Sequence, residues 1–307
     1  MRVFDLSSSI PEDAKNSVVA IGNFDAVHLG HQSLLVEAKK IAVEKKIPLA
    51  VLTFEPHPRR LFRPDDAPFR VTPLHIKLER LKSCGVDTVY ICPFNWELAD
   101  LSADDFIAQI LKDKIAPQEI IIGSDFHFGH NRSGNISTLR AADLSVQSID
   151  LKSDTHRGII SATRIRGAIQ AGHIDEANEL LGWDWEIRGV VVHGNKRGRE
   201  IGYPTANVEL GETIHPSYGV YATRVLIEGE NKWRHAATNI GIRPMFEVKT
   251  GLVEAHLLDY TGDLYGEIIR VQPVQKIRDE MKFNTLDELI VQMSEDCIKI
   301  RCILKGE

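Results

Sequence analysis

Two histidines near the N-terminus have a spacing and a setting that suit phosphate binding. His28 and His31 lie three residues apart in the segment GNFDAVHLGH at 22–31. The surrounding pattern predicts a buried strand at Val18–Gly22 and a helix at Gly30–Glu44. Imidazole N–H groups at a helix start add to free backbone N–H donors and the positive end of the helix dipole. A His-x-x-His metal pair and two surface histidines are the alternatives, but the position directly after the first predicted strand favours a nucleotide phosphate site.

Three further polar segments occupy comparable positions. TFEPHP at 53–58 follows the second predicted strand, GSDFHFGHNRSG at 123–134 follows the fourth, and SATRIR at 161–166 begins a helix. Hydroxyl groups cap helix starts, and arginines bind phosphate well. The chain has neither a GxGxxG nor a Walker A sequence, so a dinucleotide fingerprint or a P-loop does not account for these segments.

A second group of chemically suggestive residues lies in the C-terminal part. The segment at 189–207, GVVVHGNKRGREIGYPTAN, joins a strand, a glycine-punctuated loop and the sequence PTAN. Gly194 and Gly198 would allow backbone amides to cradle phosphates, although a tight barrel corner would explain these glycines by themselves. Thr205 and Asn207 offer a hydroxyl and an amide oxygen, which are hard ligands of the kind that Mg²⁺ accepts.

Glu254 is the candidate base for a primary hydroxyl group. On a strand, Glu254 and His256 share one face, whereas Val253, Ala255 and Leu257 share the other. A single glutamate on a strand is usually solvated, but the presence of PTAN in the same half favours a proton-accepting role.

The elements that must position the N-terminal groups alternate between strands and helices. Short apolar strands and longer amphipathic helices in this order are typical of a parallel sheet covered on both faces. The predicted strands are Val18–Gly22, Leu49–Phe54, Thr88–Cys92 and Glu119–Gly123, and the predicted helices are Gly30–Glu44, Pro73–Cys84 and Ala103–Lys114. Ligands of such sheets bind beyond the carboxyl ends of the strands, so the loops that follow these four strands would share one rim.

The second half has the pattern of an antiparallel barrel or sandwich, with glycine and proline turns between strands. The predicted strands are Ile187–Val192, Gly219–Ile227, His235–Asn239, Leu252–Leu258 and Ile268–Val274. Two short helices at Thr163–Ala171 and Ile174–Leu181 precede them, and a helix at Asn284–Leu304 closes the chain. The change of character predicts two domains, at 1–185 and 186–307.

Composition excludes several classes of function. The 307 residues are 43% hydrophobic and 26% charged, ordinary values for a two-domain globular protein. A net charge of −6 without a dense basic run argues against nucleic-acid binding. No apolar run approaches the ~20 residues that span a bilayer, and no signal-peptide pattern or CxxC pair is present. We expect a cytoplasmic protein with small-molecule substrates and no membrane or nucleic-acid partner; the sequence leaves its oligomeric state open.

Taken together and in this order, the N-terminal segments resemble the nucleotidyltransferase half of bacterial bifunctional riboflavin kinase/FMN adenylyltransferases, also called FAD synthetases. The C-terminal segments, with NIGIRP at 239–244 and LYG at 264–266, are similar to the riboflavin kinase family. The resemblance covers nearly the whole chain. It implies a Rossmann-like N-terminal domain, a kinase barrel with a C-terminal helix, Mg²⁺, ATP as co-substrate, and FMN and FAD as products.

The resemblance also implies roles for individual residues. His28 and His31 would hold ATP phosphates in an HxGH-type transfer, and Glu254 would take the proton from the riboflavin 5′-hydroxyl. Thr205 and Asn207 would bind Mg–ATP. The other ATP-binding residues that it implies are Gly22, Phe24, Asp125, Ser161, Thr163, Arg166, Gly194 and Gly198. The flavin-binding residues would be Phe54, Pro56, Arg278 and Glu280.

Three departures from the family pattern concern the adenylyltransferase half. The family usually reads GNFDGVHRGHQ and has SST before the arginine, whereas this chain has Ala26, Leu29 and Ala162. Ala26 would strain the turn if its φ is positive, and Leu29 removes a cation near the phosphates. We therefore expect a slower or weaker-binding adenylyltransferase that still works.

Departures in the kinase half are fewer. Met245 replaces a usual threonine, and Gln275 and Lys276 stand where an aromatic residue usually precedes the arginine, which affects flavin affinity more than chemistry. One alternative function is a kinase whose N-terminal half has degenerated. Another is a non-catalytic flavin-binding regulator, which would be expected to lose Thr205, Asn207 or Glu254.

Overall fold

The computed structural model describes residues 1–150, 152–154, 158–194, 198, 201–245 and 248–305, without the side chains of 243–245 and 248–250. The chain forms two compact units. One unit comprises Met1–Asp66 and Thr72–Ala162, and the other comprises Ala67–Val71 and Thr163–Glu307. The second compact unit includes residues 163–185, which lie before the predicted domain boundary near residue 185. That boundary stays a prediction.

The first unit is built on a six-stranded, wholly parallel sheet with the strand order β1-β4-β3-β2-β5-β6. Its strands are β1 (Arg2–Asp5), β2 (Val18–Ile21), β3 (Leu49–Glu55), β4 (Thr88–Pro93), β5 (Glu119–Gly123) and β6 (Val146–Ile149). A small hairpin of β7 (Ser153–Asp154) and β8 (Gly158–Ile159) follows. The parallel sheet is confirmed, and with it the shared rim at the carboxyl ends of β2, β3, β4 and β5.

Helices connect the parallel strands. They are α1 (Leu29–Lys45), α2 (Pro58–Phe62), α3 (Leu74–Ser83), α4 (Trp96–Ala99), α5 (Ala103–Asp105) and α6 (Ile136–Ala141). The predicted helix at Ala103–Lys114 is present, but after α5 it continues as a π-helix over Phe106–Ile115. Short 3₁₀ turns occupy Glu12–Ala14 and His130–Arg132.

Apolar side chains cover both faces of the parallel sheet. Val19 and Ile21 of β2 belong to one buried cluster, whereas Val18 and Ala20 belong to another. Successive side chains of a strand point to opposite faces, so a strand with both faces buried must be apolar throughout. This explains why β2 appears in the sequence as a continuous apolar run rather than an alternating one.

The second unit contains an antiparallel sheet with the strand order β10-β13-β12-β11-β14-β9. Its strands are β9 (Ile187–Val190), β10 (Ala206–Glu209), β11 (Gly219–Ile227), β12 (Arg234–Met245), β13 (Val248–Leu257) and β14 (Ile268–Arg278). An antiparallel bridge between Val192 and Asn207 links the two edges of the sheet. The sheet is therefore a nearly closed barrel, which resolves the predicted choice between barrel and sandwich.

Three helices complete the second unit: α7 (Ala162–Ala171, shared with the end of the first unit), α8 (Ile174–Leu181) and α9 (Leu286–Lys305). Ile300 and Leu304 of α9 pack against Val220 and Ala222 of β11. Within the described part of the chain, no helix combines the length and the apolar character needed to cross a bilayer.

Candidate functional site

His28 caps the N-terminus of α1 with its own side chain. Its Nδ1 accepts hydrogen bonds from the backbone N–H groups of Gly30, at 3.1 Å, and His31, at 3.3 Å. A nitrogen that accepts carries no proton in neutral imidazole, so the proton resides on Nε2. The two backbone donors expected to be free for phosphate are therefore satisfied by the cap, and His28 itself supplies an N–H donor at the helix start.

His31 stacks directly on His28, with ring centroids 3.8 Å apart and an interplanar angle of 18°. Burial lowers the pKa of His31 well below its ordinary value, with further lowering from His28 and Lys77 and opposition from Asp25. A neutral imidazole is the consequence. Its Nδ1 is buried without a hydrogen-bond partner among the described residues, which is the signature of a site that a polar ligand completes.

The loop between β2 and α1 is strained. Phe24, Ala26 and Val27 all have positive φ, at 48°, 75° and 40°, and all three are buried. Residues other than glycine avoid this region, and β-branched valine avoids it most. The positive φ that would make Ala26 a strained substitution is therefore present. The ring of Phe24 lies 4.9 Å from that of His31, so Phe24 packs against the histidine pair.

Other predicted nucleotide-binding residues surround this loop or lie in the second unit. A Cβ on Gly22 would approach the Phe24 ring to 3.3 Å, and one on Gly30 would lie 3.5 Å from the Ile160 carbonyl oxygen, so the segment before Ser161 reaches the start of α1. Asp125 is exposed in the loop after β5.

The remaining two residues of this predicted set, Thr163 and Arg166, belong to the second unit. There the Arg166 Nε donates a hydrogen bond of 3.0 Å to the Phe69 carbonyl oxygen.

A series of aromatic side chains follows the carboxyl ends of β3 and β4. Phe54 lies edge-on to Phe94 at 5.9 Å, Phe94 contacts Phe62 at 5.9 Å, and Phe62 contacts Trp96 at 5.6 Å. Phe62 and Trp96 are 56% and 57% exposed, an unusual state for large apolar rings on one rim. Phe54 was predicted as a flavin contact, with the exposed Pro56 beside it; Phe62 and Trp96 were missed because helical spacing does not reveal an exposed pair.

In the barrel, three polar side chains lie side by side on neighbouring strands. Asn207 of β10 pairs directly with Glu254 of β13, which pairs directly with Asn239 of β12. Directly paired residues of an antiparallel sheet project to the same face. Asn239 Nδ2 lies 3.5 Å from a Glu254 carboxylate oxygen. The neighbours of Glu254 along the strand, Val253 and Ala255, are fully buried on the opposite face, as the alternation predicted.

Asn207 has one satisfied end and one unsatisfied end. Its Nδ2 donates to the Thr205 carbonyl oxygen at 3.1 Å, whereas its Oδ1 is buried without a partner in the described part of the chain. A buried amide oxygen of this kind, beside a threonine hydroxyl, fits a hard cation such as Mg²⁺. A Cβ on Gly194 would lie only 2.7 Å from Asn207 Nδ2, so glycine is required there to admit the asparagine.

Gly198 also serves a close approach, since a Cβ there would collide with the Tyr203 carbonyl oxygen. The part of the predicted phosphate loop between these two glycines, at 195–197, lies outside the described residues, as do 199 and 200. A cavity of 260 Å³ opens beside PTAN. It is lined by Val191, Pro204, Thr205, Ala206, Ala255, Leu257 and the segment at 260–265.

The two predicted flavin residues of the barrel differ in their surroundings. The Glu280 carboxylate lies against Gly241, so close that a Cβ at position 241 would collide with it. Arg278 forms a two-pronged ion pair with the buried Asp296 of α9, with Nη2–Oδ2 at 2.8 Å and Nε–Oδ2 at 3.0 Å. In this structure the Arg278 guanidinium therefore joins the barrel to its closing helix.

Comparison with protein families gives a match in each half of the chain. The family described as FAD synthetase matches residues 10–164, and the family described as riboflavin kinase matches residues 181–304. The first range contains the HxGH segment and the strained loop. The second contains PTAN and Glu254.

Several curated proteins are similar over almost their whole length. A bifunctional riboflavin kinase/FMN adenylyltransferase of Buchnera aphidicola is 39% identical, covering 98% of this chain and 97% of the relative. Proteins of the same name from Haemophilus influenzae and Escherichia coli are each 40% identical, over 91% and 92% of this chain and 91% of each relative.

A solved structure is similar over the whole chain as well. It is described as a macrolide-efflux protein from Streptococcus pneumoniae and is 33% identical with a TM-score of 0.87, over 98% of this chain and 99% of the other. The efflux description is that of the Streptococcus protein. The match supports the fold of both units.

Proposed function

Because the chain belongs to the bifunctional riboflavin kinase/FMN adenylyltransferase family, we propose that its barrel phosphorylates riboflavin to FMN and that its parallel-sheet unit adenylylates FMN to FAD. ATP is the co-substrate of both reactions, and pyrophosphate leaves in the second. The observation that carries this function is the presence of both matching families in one chain, together with relatives of that name along nearly its full length. A kinase with a degenerate N-terminal half is not favoured.

The adenylyl transfer needs no protein nucleophile. The FMN phosphate attacks the α-phosphorus of ATP in line, and catalysis consists of positioning and charge stabilisation. His28, through its Nε2–H, and His31 would hold the phosphates at the start of α1. Their stacking and the unpartnered Nδ1 of His31 support this role.

Further contacts of the adenylyltransferase follow from the rim. Gly22, Phe24, Asp125 and Ser161 of the first unit would contact ATP, with Phe24 acting through its packing on His31. Thr163 and Arg166 keep the ATP-binding role that the sequence resemblance implies. FMN would lie against the aromatic series that includes Phe54 and Pro56. The exposed rings of Phe62 and Trp96 support a flat aromatic ligand there, because stacked rings attract beyond the area that they bury.

In the kinase, Glu254 would accept the proton of the riboflavin 5′-hydroxyl, since its carboxylate lies in line with two amide side chains on one face of the barrel. Thr205 and Asn207 would hold Mg²⁺, which would neutralise charge on the transferred phosphoryl group. Gly194 and Gly198 would line the ATP site, and Glu280 and Arg278 would lie on the flavin side.

The same reasoning extends to the setting of the enzyme. We assign it a cytoplasmic location and small-molecule partners, namely riboflavin, FMN and ATP. The free thiols of its four cysteines suit a reducing compartment. The functional boundary would lie near residue 185, just before the barrel begins at Ile187.

A single substitution tests the N-terminal assignment. With FMN and ATP as substrates, His31→Asn should lower the rate of FAD formation by about 10²-fold, because it removes a phosphate-binding group from the reacting centre. His75→Asn, at an exposed position of α3 in the same unit, is the matched control and should leave the rate unchanged. A His31→Asn protein that forms FAD at the wild-type rate would show that the histidine pair is not the site.

A further inference from the structure

Lys77 is a fully buried lysine within the N-terminal unit. It lies on α3, three residues after Leu74 and four before Leu81, which places it on the face that packs against the sheet. Its Nζ contacts the Glu55 carboxylate at 2.7 Å and the Thr53 Oγ1 at 3.2 Å. A buried ammonium is costly to desolvate, and replacing a whole buried ion pair with apolar side chains is often neutral or favourable for stability, whereas removing one partner alone is destabilising. We therefore look for the role of the Lys77 ammonium in the groups that it contacts, not in overall stability.

The ammonium is connected to the loop between β2 and α1 through one hydroxyl group. Thr53 donates its hydroxyl proton to the Asn23 carbonyl oxygen at 3.0 Å. The lone pairs of the Thr53 hydroxyl oxygen can therefore accept the hydrogen bond from Lys77 Nζ. Asn23 directly precedes Phe24, the first of the three loop residues with positive φ. Lys77 thereby orders the start of the loop that ends in His28.

Thr72, two residues before the same helix, holds the middle of the loop. Thr72 accepts a hydrogen bond from the Ala26 N–H at 2.8 Å. Its own N–H and hydroxyl donate to the Asp25 carboxylate at 2.9 and 3.1 Å. Two independent connections, one from Lys77 through Thr53 and one from Thr72, therefore reach the strained loop. A strained loop persists only when the surrounding structure fixes its conformation.

We propose that Lys77 is a positioning residue of the adenylyltransferase site, which acts through Thr53 to hold the 23–28 loop so that His28 and His31 face the ATP phosphates. This inference rests on the proposed adenylylation at this site. Lys77 differs from the histidines in that it shapes the loop and does not touch substrate.

The charge of Lys77 also gives the role a second readout. The groups that act electrostatically on His31 are His28, Asp25 and Lys77, and Lys77 lowers the pKa of His31 whereas Asp25 raises it. Removal of the ammonium should therefore raise the pKa of His31. The acidic limb of the pH profile of adenylylation should then move to higher pH.

The test uses the full-length protein and both of its activities. Lys77→Met should lower kcat for FAD formation by about 10²-fold, the usual consequence of a reacting group displaced by about 1 Å, with little change in the KM for FMN. Thr53→Val, which removes only the connecting hydroxyl, should lower kcat by roughly threefold to tenfold, the worth of one hydrogen bond. Riboflavin phosphorylation by the barrel should be unchanged in both, which would show that the effect is confined to the first unit.

Two further variants separate positioning from stability. Lys77→Met combined with Glu55→Gln removes both charges of the pair and should remain as slow as Lys77→Met alone. Lys45→Met breaks an ion pair of the same 2.7 Å length with Glu119, which begins β5 at the amino ends of the parallel strands, away from the rim at their carboxyl ends, and should leave adenylylation unchanged.

The outcomes discriminate between this inference and the function on which it rests. Wild-type kcat and an unshifted pH profile in both Lys77→Met and Thr53→Val, with FAD formed normally by the wild type, would overturn the role of Lys77 alone. A kcat loss in Lys77→Met that the Lys45→Met control reproduces would also overturn it, since any broken ion pair would then suffice. Absence of FAD formation by the wild type would overturn the proposed adenylylation and this inference with it.

Discussion

At the scale of single residues, the two candidate sites rely on different kinds of chemistry. The N-terminal site places neutral imidazoles where phosphate charge must be held, and burial keeps the pKa of His31 low. The barrel site places a carboxylate between two amides, on Asn207 and Asn239, where a hydroxyl proton must be accepted. In the proposed functions the first arrangement would bind and orient phosphates, whereas the second would also take a proton, so the two should respond differently to removal of a single group.

Glu254→Gln should lower the turnover of riboflavin phosphorylation by ~10²–10⁴-fold, the usual worth of a general base, because the amide keeps the shape but cannot take the proton. The measurement is the initial rate of FMN formation from riboflavin and ATP. FAD formation from supplied FMN should be unaffected, and Glu228→Gln, in an exposed turn after β11, should leave both rates unchanged. A near-normal rate of FMN formation in Glu254→Gln would mean that another group is the base.

At the scale of elements, the loop between β2 and α1 combines three non-glycine residues of positive φ, Phe24, Ala26 and Val27. Ala26 has a φ of 75° and is completely buried. Its methyl group makes this backbone conformation strained, whereas glycine would adopt the conformation without strain. The neighbouring Asp25 and Thr72 hold the loop in place despite this cost.

Ala26→Gly should stabilise the first unit by roughly 1 kcal/mol, since alanine at positive φ is disfavoured by more than glycine loses in chain entropy. The midpoint of its thermal unfolding should rise by about 2–4 °C. Ala42→Gly, in the interior of α1 where φ is helical, is the matched control and should lower the midpoint. If Ala26→Gly lowers the midpoint as Ala42→Gly does, the loop is not strained at this position.

Most elements could be predicted from the sequence because their apolar patterns are strong. The buried strands β2, β3 and β5 and the helices α1 and α3 have their predicted types and nearly their predicted bounds. Five short strands, namely β1, β6, β7, β8 and β10, were not predicted because too few residues carry a periodic signal. The sequence PTAN, at the start of β10, lacks the alternating pattern of a strand, so the strand that carries Asn207 was not predicted.

The sites were predictable in part for a related reason. Motif residues such as His28, Asn207 and Glu254 are found by their spacing, and the structure places Asn207 directly opposite Glu254. Lys77 carries a weaker signal, a charge at a position of α3 where the helical period expects an apolar side chain. Phe62 and Trp96 carry none, since an exposed aromatic pair formed across a loop depends on tertiary structure.

At the scale of the whole molecule, one chain joins two units of different fold and different chemistry. The parallel sheet gathers loops at one rim and suits transfer between bound phosphates, whereas the nearly closed barrel offers a rigid strand face for a base and a metal site. The product of the barrel reaction is a substrate of the other, so both activities can be followed in one experiment.

The most direct measurement incubates the purified chain with riboflavin, ATP and Mg²⁺ and resolves riboflavin, FMN and FAD by chromatography over time. We expect FMN to accumulate first and FAD to follow, with slower FAD formation reflecting Ala26 in the 23–28 loop and Leu29 at the start of α1. FMN that never proceeds to FAD at millimolar ATP would contradict the adenylyltransferase assignment, and no conversion of riboflavin at all would contradict the account as a whole.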